Sequence, residues 1–360
     1  MRIVHLLNHT KRLNGHVHAA VDLACAQVKL GHTVAMASGG GDFDQLLAEH
    51  GVECMHVTQE RRLLSLSKGL WSLYRLVDEW RADVVHAHMV TSAILAWPVC
   101  RVLHRALITT VHNEFQKSAI VMGLGTRVIA VSASVGQSMQ KRGISRSRID
   151  VVLNGTIGSV RFEGKDRTAR PLKVPAIIFV GGLHPRKGLP DLFAAFDIVH
   201  RKIQGAHLYI VGGGPHHDEY VAMVNAMECN EAVTFTGPTD DPFPLMRGAD
   251  IFVLPSHADP APLVLSEGRE AGCAIVATNV DGIPELLEHG KAGILVPPRD
   301  PVQLAKVLCR LLENIDVLEE WKRHSQYNIE YLRIDRVARE TLSVYATATR
   351  RAVSGSTTSK

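Results

Sequence analysis

The stretch Ala176-Ile-Ile-Phe-Val-Gly-Gly-Leu-His-Pro-Arg-Lys-Gly188 runs five apolar residues into a glycine pair and then two cations, with a helix beginning near Leu189. A buried strand that turns through glycine into a helix is the repeating piece of a parallel-sheet α/β fold. The same alternation extends in both directions. Upstream, strands are expected at Ile3–Asn8, Thr33–Ser38, Val52–Val57, Asp83–His86, Ala106–His112, Arg127–Val131 and Asp150–Leu153. Helical spacing separates most of them, at Val17–Leu30, Leu63–Trp80, Val90–Leu103 and Ala133–Arg142. Downstream, Leu208–Val211, Ala232–Phe235, Asp250–Leu254, Ala274–Ala277 and Gly293–Val296 read as strands, followed by two or three helices from Pro301 to about Thr349. Residues 155–175 carry Gly, Arg and Lys with no period, which marks a break between two halves. No repeat of 20 to 50 residues is present, so a solenoid is excluded.

Composition agrees with two packed domains. The chain has 360 residues and 46% apolar content, enough for a core in each half. Its six cysteines form no C-x-x-C pair, which argues against a disulfide framework or a structural zinc cluster and for a reducing compartment. The apolar start at Met1 is too short for a signal peptide, and Val84–Cys100 is too short and too polar to span a bilayer. The sequons at Asn8 and Asn154 therefore carry no glycosylation reading. Net charge is +4, with a basic front half, an acidic middle and a basic tail. A basic front suggests an anionic surface or acceptor as neighbour, against the alternative of chance drift between domains.

The ligand is narrowed by what the glycine turns lack. Val211-Gly-Gly-Gly-Pro-His-His217 puts His217 where a dinucleotide fingerprint needs its last glycine. Gly181–Gly188 has neither the spacing nor the hydroxyl of a Walker A loop. Instead, Arg186 and Lys187 stand at a helix start, where free N–H groups and the helix dipole favour an anion such as a diphosphate. An ordinary loop with solvated cations is the alternative. Further on, Asp259 in a Pro-bounded turn and Glu267 on the following helix are eight residues apart and can face one cleft, although most such pairs are solvated surface.

These segments together resemble the retaining glycosyltransferase family 4. The matching pieces are Ile177–Gly188, Leu208-Tyr-Ile-Val-Gly-Gly-Gly-Pro215, Val233-Thr-Phe-Thr-Gly237, Ala249–Ser256 with the acid pair, Ala271–Thr278 and Gly282-Ile-Pro-Glu285. Gly15, His112 in Thr110-Val-His-Asn113, Ala130-Val-Ser132 and Asn154-Gly155 match more loosely. The resemblance implies a GT-B fold of two facing Rossmann-like domains with a cleft between them. Residues 1–160 would form an acceptor domain, 161–175 a linker, 176–325 a nucleotide-sugar donor domain, 326–350 helices packing back on the first domain, and 351–360 a disordered tail.

The resemblance further implies roles for particular residues. Lys187 would contact the diphosphate, with Gly182, Gly213 and Gly237 lining the donor loops and Arg186 beside it. The amides of Leu263 and Val264 would hold the distal phosphate, Glu267 the ribose, and Asp259 and His112 the donor sugar at the reacting centre. Gly15 would let the first-domain backbone approach. The implied activity is metal-independent, retaining transfer of a hexose from a UDP- or GDP-linked sugar to a glycan or glycolipid in polysaccharide or lipopolysaccharide assembly, with no cofactor and no nucleic acid partner. A cytoplasmic location is expected, and the residues themselves suggest peripheral contact with anionic membrane: Leu63, Leu66, Leu70, Leu73 and Val77 recur at helical spacing with Arg61, Arg62, Lys68, Trp71, Tyr74 and Arg75 around them, against the alternative that this stripe packs on the sheet, which Gly69, Asp78 and Glu79 favour.

Three departures bear on this reading. Gly182 stands where the family commonly has arginine, Asp259 is one methylene shorter than the usual Glu, and Pro260-Ala-Pro262 replaces a Gly-Phe-Gly. Proline has no N–H, so two backbone donors to the sugar are lost. These leave a non-catalytic sugar-nucleotide-binding scaffold as one rival and a nucleotide-sugar epimerase or phosphorylase as another. His16, His18, His86 and His88 form close pairs along the chain, but metal binding is not expected from them. His88, at a strand end, is a lesser cleft candidate.

Overall fold

The computed structural model describes residues 1–12, 14–59 and 63–356. Two compact units divide the chain, the first made of Met1–Glu163 with Leu332–Lys360 and the second of Gly164–Tyr331. Each is a wholly parallel sheet whose strands alternate with helices.

The first sheet holds β1 (Arg2–Leu6), β2 (Thr33–Ser38), β3 (Glu53–His56), β4 (Val84–Ala87), β5 (Ala106–Val111), β6 (Arg127–Ala130) and β7 (Ile149–Val151), in the order β3-β2-β1-β4-β5-β6-β7. The second holds β8 (Ala176–Val180), β9 (His207–Val211), β10 (Val233–Gly237), β11 (Ile251–Leu254), β12 (Ala274–Thr278) and β13 (Ile294–Val296), ordered β10-β9-β8-β11-β12-β13. Strand order reverses beside β1 in one sheet and beside β8 in the other. In such sheets the loops at the reversal open a crevice, and ligands bind there. The central strands are fully buried, β5, β8, β11 and β12 at every position, which is why they read as continuous apolar runs.

Helix starts are set by local chemistry. Ser132 Oγ accepts from Val135 N at 3.3 Å, Asp300 Oδ1 from Gln303 N at 2.9 Å and Asn314 Oδ1 from Val317 N at 3.2 Å, each satisfying an orphan donor of the first turn. Gly69 lies inside the helix Leu63–Glu79, where glycine usually weakens the element. Here a Cβ would come within 2.2 Å of the Thr58 carbonyl oxygen, so close approach of the loop after β3 demands it.

The stretch 161–175 differs from the linker expected there. Arg161 is buried in an ion pair with Asp22 at 2.9 Å and belongs to the first unit. From Gly164 onward the chain packs on the second: Arg167 pairs with Glu270 at 2.6 Å and lies over the Phe243 ring, and Arg170 N donates to the Pro244 carbonyl at 2.8 Å. The arginines of this aperiodic stretch anchor it to the two units. The final helix, Ile334–Ser356, continues past the point where a disordered tail was expected, so Arg351–Ser356 are helical; Thr357–Lys360 lie outside the described residues. It packs on the helix Gly15–Lys29 and buries Ala338, Tyr345 and Ala348 completely in the first core. No helix among the described residues is long and apolar enough to cross a membrane.

Candidate functional site

In the second unit, the loops after β8 and β11 meet at the strand reversal. After β8 the chain passes through Gly181 and Gly182 into a short 3₁₀ turn, Pro185–Lys187, and then through Gly188 into the helix Leu189–Lys202. Gly188 has φ +70°, and a Cβ there would sit 2.0 Å from the Pro255 carbonyl oxygen, so no other residue fits this junction. His257 N donates to the Arg186 carbonyl at 2.7 Å, tying the two loops together. His257 Nε2 also lies 2.6 Å from Asp191 Oδ2, on the first turn of the helix.

This framework buries a cation against an acid. Lys187 Nζ donates to Asp259 Oδ2 at 2.5 Å, and the two residues are only 7% and 5% exposed. Arg186 Nη1 stands 3.9 Å from the same oxygen and donates to the Ala258 carbonyl. Asp259 is held by its own backbone: its N–H donates to Asp281 Oδ2 at 2.7 Å, and its carbonyl accepts from Gly282 N at 3.3 Å. Burial raises the Asp281 carboxyl above its ordinary range, with the Asp259 charge adding to the effect. An ammonium carries three protons and Lys187 spends one on Asp259, which leaves donors for the oxygens of a ligand. Asp259 Oδ1 has no partner among the described residues and is free to accept a hydroxyl.

The other donor-side positions fall around this pair. Leu183 N donates to the Gly213 carbonyl at 2.9 Å and Gly212 N to the Gly237 carbonyl at 3.0 Å, so the turns after β8, β9 and β10 form one continuous rim. Leu263 and Val264 open the helix Leu263–Ala271, whose N-cap is Pro262 with no side-chain cap. Their amides are among the first-turn donors that a helix leaves without intrahelical acceptors. Glu267 is buried on the same helix. At Gly182, which is exposed, an added Cβ would meet the His184 ring, 3.3 Å away at Cδ2, and the Gly213 carbonyl oxygen at 3.9 Å.

In the first unit, His112 follows β5 and is half-buried, with Nε2 3.1 Å from His88 Nδ1. Burial, then the neighbouring His16, lowers its pKa to about 3, so the ring is neutral at physiological pH. Gly15 opens the helix Gly15–Lys29 directly ahead of His16, whose ring centroid is 6.0 Å from that of His112. His88 leads inward to His5 and His86, which sequence reasoning did not join to His112. Their common face on β1 and β4 follows from register, since His5 pairs with His86, but Gln27 and Tyr345, which complete the cluster, gave no signal in the sequence. Ligating atoms of His5, His86 and His88 lie within 4.8 Å of one another. All six ring nitrogens already have hydrogen-bond partners, so an ion there would have to displace them.

Comparison with known proteins follows the same division of the chain. Residues 13–156 match the family described as Glycosyltransferase Family 4, and residues 174–314 the family described as glycosyl transferases group 1. A glycogen synthase of Mycobacterium tuberculosis (strain ATCC 25618 / H37Rv) is 30% identical over 256 residues, 65% of this chain and 61% of that protein. The GDP-mannose-dependent alpha-(1-6)-phosphatidylinositol monomannoside mannosyltransferase of the same strain is 32% identical over 151 residues, 39% of each chain. The chain thus spans less than two thirds of these relatives' length. The crystal structure of Anabaena Alr3699/HepE in complex with UDP has the same fold, with a TM-score of 0.81 at 18% identity over 96% of this chain and 100% of that one.

Proposed function

The chain belongs to the group 1 and family 4 glycosyltransferases, with their GT-B fold, and on that premise we propose that it transfers a hexose, with retention, from a UDP- or GDP-linked sugar to a glycan or glycolipid. The observation that carries the reading is the buried Lys187–Asp259 pair at the strand reversal of the second sheet. A cation held there by an acid keeps its direction before any substrate arrives, which is what stabilising a departing diphosphate requires.

In this reading Lys187 and Arg186 neutralise the diphosphate as its bond to the anomeric carbon breaks, and the Leu263 and Val264 amides bind its distal phosphate. Glu267 accepts from the ribose hydroxyls. Asp259, through Oδ1, and His112 hold hydroxyls of the donor sugar. The acceptor oxygen forms its bond on the face the diphosphate leaves, and its proton passes to a diphosphate oxygen. No side chain serves as nucleophile, and no metal or other cofactor is needed. The GDP-mannose and UDP recorded for the mannosyltransferase and for Alr3699/HepE support a sugar nucleotide of one of these two kinds.

The acceptor reading adds a place: polysaccharide or lipopolysaccharide assembly on the cytoplasmic face of an anionic membrane. On the helix Leu63–Glu79, Leu73 and Val77 are buried while Lys68, Trp71, Tyr74 and Arg75 are exposed, with the Arg75 guanidinium 4.9 Å from the Trp71 ring centre. The side chains of Leu63 and Leu66, together with Arg61 and Arg62, lie outside the described residues. The helix Val90–Val102 packs beside it and exposes Ile94, Trp97 and Arg101. Aromatic rings with cations around them suit a headgroup layer.

Pro260-Ala-Pro262 supports one other reading, a scaffold that binds sugar nucleotides without turning them over, because two backbone donors are missing. Titration calorimetry with UDP-glucose, GDP-mannose and ADP-glucose, followed by product analysis, separates the two. An enzyme binds one donor and consumes it, a scaffold binds and does not, and binding of none removes both readings.

A further inference from the structure

Inside the first unit a single chain of hydrogen bonds connects His112 to the C-terminal helix. His112 Nε2 is 3.1 Å from His88 Nδ1, His88 Nε2 is 2.9 Å from His5 Nδ1, and His5 Nε2 is 2.8 Å from the Gln27 amide oxygen. On its other side the Gln27 nitrogen donates to Tyr345 OH at 3.3 Å, and that hydroxyl is 2.6 Å from His86 Nδ1. His86 Nε2 ends the chain 2.6 Å from Thr110 Oγ1. His5, Gln27, His86 and Tyr345 are completely buried, so water cannot substitute for the links among them.

A neutral imidazole has one N–H and one bare nitrogen, so each ring that accepts at one end must donate at the other. The direction of the branch from Gln27 through His5 and His88 to His112 therefore follows from one group. Gln27 presents its oxygen to His5, which fixes the His5 proton on Nε2 and leaves Nδ1 bare. His88 must then donate from Nε2, leaving its Nδ1 bare to accept from His112 Nε2–H. The outcome is a neutral His112 with a bare Nδ1. Charge cannot scramble the order, because burial holds His5 near a pKa of about 4 and His86 and His88 well below the ordinary histidine value.

The geometry points to Gln27, His5 and His88 as a positioning relay that fixes His112 in one tautomer, with the proton on Nε2 and Nδ1 left as the acceptor toward the reacting sugar. A hydrogen bond accepted from a sugar hydroxyl requires that tautomer, and the alternative tautomer would donate instead. Gln27 and Tyr345 are 318 residues apart, so the last helix of the chain becomes part of the setting of a residue just past β5. This inference rests on the proposed role of His112 for its catalytic meaning, but the tautomer itself does not.

The test is ¹⁵N NMR of the full chain labelled at histidine, with the His112 ring signals assigned by their loss in His112→Gln. In the unaltered protein His112 is expected to show a protonated Nε2 and a bare Nδ1 with no averaging. The acceptor facing His5 Nε2 is the Gln27 amide oxygen. Gln27→Met removes it and should give averaged His112 nitrogens, with kcat lower by roughly 2- to 10-fold and KM unchanged, the scale of one neutral hydrogen bond. A proton on Nδ1 in the unaltered protein overturns the relay, whatever the variants do. So does an unchanged His112 pattern in a folded Gln27→Met. A tautomer that responds as expected while turnover stays constant leaves the relay standing and removes His112 from the reaction.

Discussion

Replacing Lys187 by alanine separates two effects that the buried pair combines. Lys187 Nζ and Asp259 Oδ2 are 2.5 Å apart, both residues being less than 10% exposed, so the variant leaves a carboxylate without its counter-ion. Breaking a buried pair from one side costs about 3–5 kcal/mol, and the lower end applies here because Arg186, at 3.9 Å, offers partial compensation. Binding suffers separately. A charge-assisted hydrogen bond to phosphate is worth about 1.5–3 kcal/mol, which is a 10- to 100-fold weaker nucleoside diphosphate. The double variant Lys187→Ala/Asp259→Ala removes both charges and should recover most of the stability while recovering none of the affinity. Thermal unfolding gives the first quantity and calorimetric titration with UDP and GDP the second. An affinity within twofold of the unaltered protein in both variants refutes the assignment of the diphosphate to this loop, and Glu267→Ala provides an independent check with a loss of similar size.

His112→Ala should lower kcat more than it weakens nucleotide binding, because the ring is assigned to the sugar; equal losses in a folded variant, or normal turnover, would return it to a structural role. Stability should also depend on pH through the buried histidines. Burial depresses the folded pKa values of His5, His86 and His88, so the unfolded chain binds protons first as pH falls below about 6.5, and their stabilising contribution is full above that value and is lost as pH falls, toward about pH 4 for His5 and well below the ordinary histidine range for His86 and His88. Each contributes up to about 1.4 kcal/mol per pH unit in that window. Melting temperatures measured from pH 7.5 to 5.5 should drop steeply, and a flat profile would contradict the buried network. Replacing Lys68 and Arg75 with Ser should reduce sedimentation with vesicles containing acidic lipid, at ~1 kcal/mol per cation; binding equal to that for neutral vesicles at low salt would remove the membrane contact.

The fold was legible because a strand buried on both faces reads as a short apolar run wherever it lies, and β5, β8 and β12 show this directly. The helix Asp44–Glu49 and the 3₁₀ segment Lys117–Leu124 were not, the first being shorter than two turns and the second lacking the 3.6-residue period. Residues 161–175 misled for a different reason. Arg161 and Arg167 look solvated in sequence, and only their distant partners Asp22 and Glu270 make them anchors. The acid at 259 and the cation at 187 could each be picked out from their turns, but their direct pairing required the strand order. The histidine chain was half legible: alternation placed His86 and His88 on one face, whereas Gln27 and Tyr345 are brought in by helix packing that no local pattern encodes.

The reaction itself is tested by what becomes of the sugar. The enzyme would be incubated with UDP-glucose or GDP-mannose in the absence of a sugar acceptor, with and without added inorganic phosphate, and the products followed by ¹H and ³¹P NMR before mutarotation. The account predicts slow release of the nucleoside diphosphate together with a hexose that first appears in the donor's own anomeric configuration. An inverted hexose, a sugar 1-phosphate formed with added phosphate, or an epimerised and still nucleotide-linked sugar would contradict it.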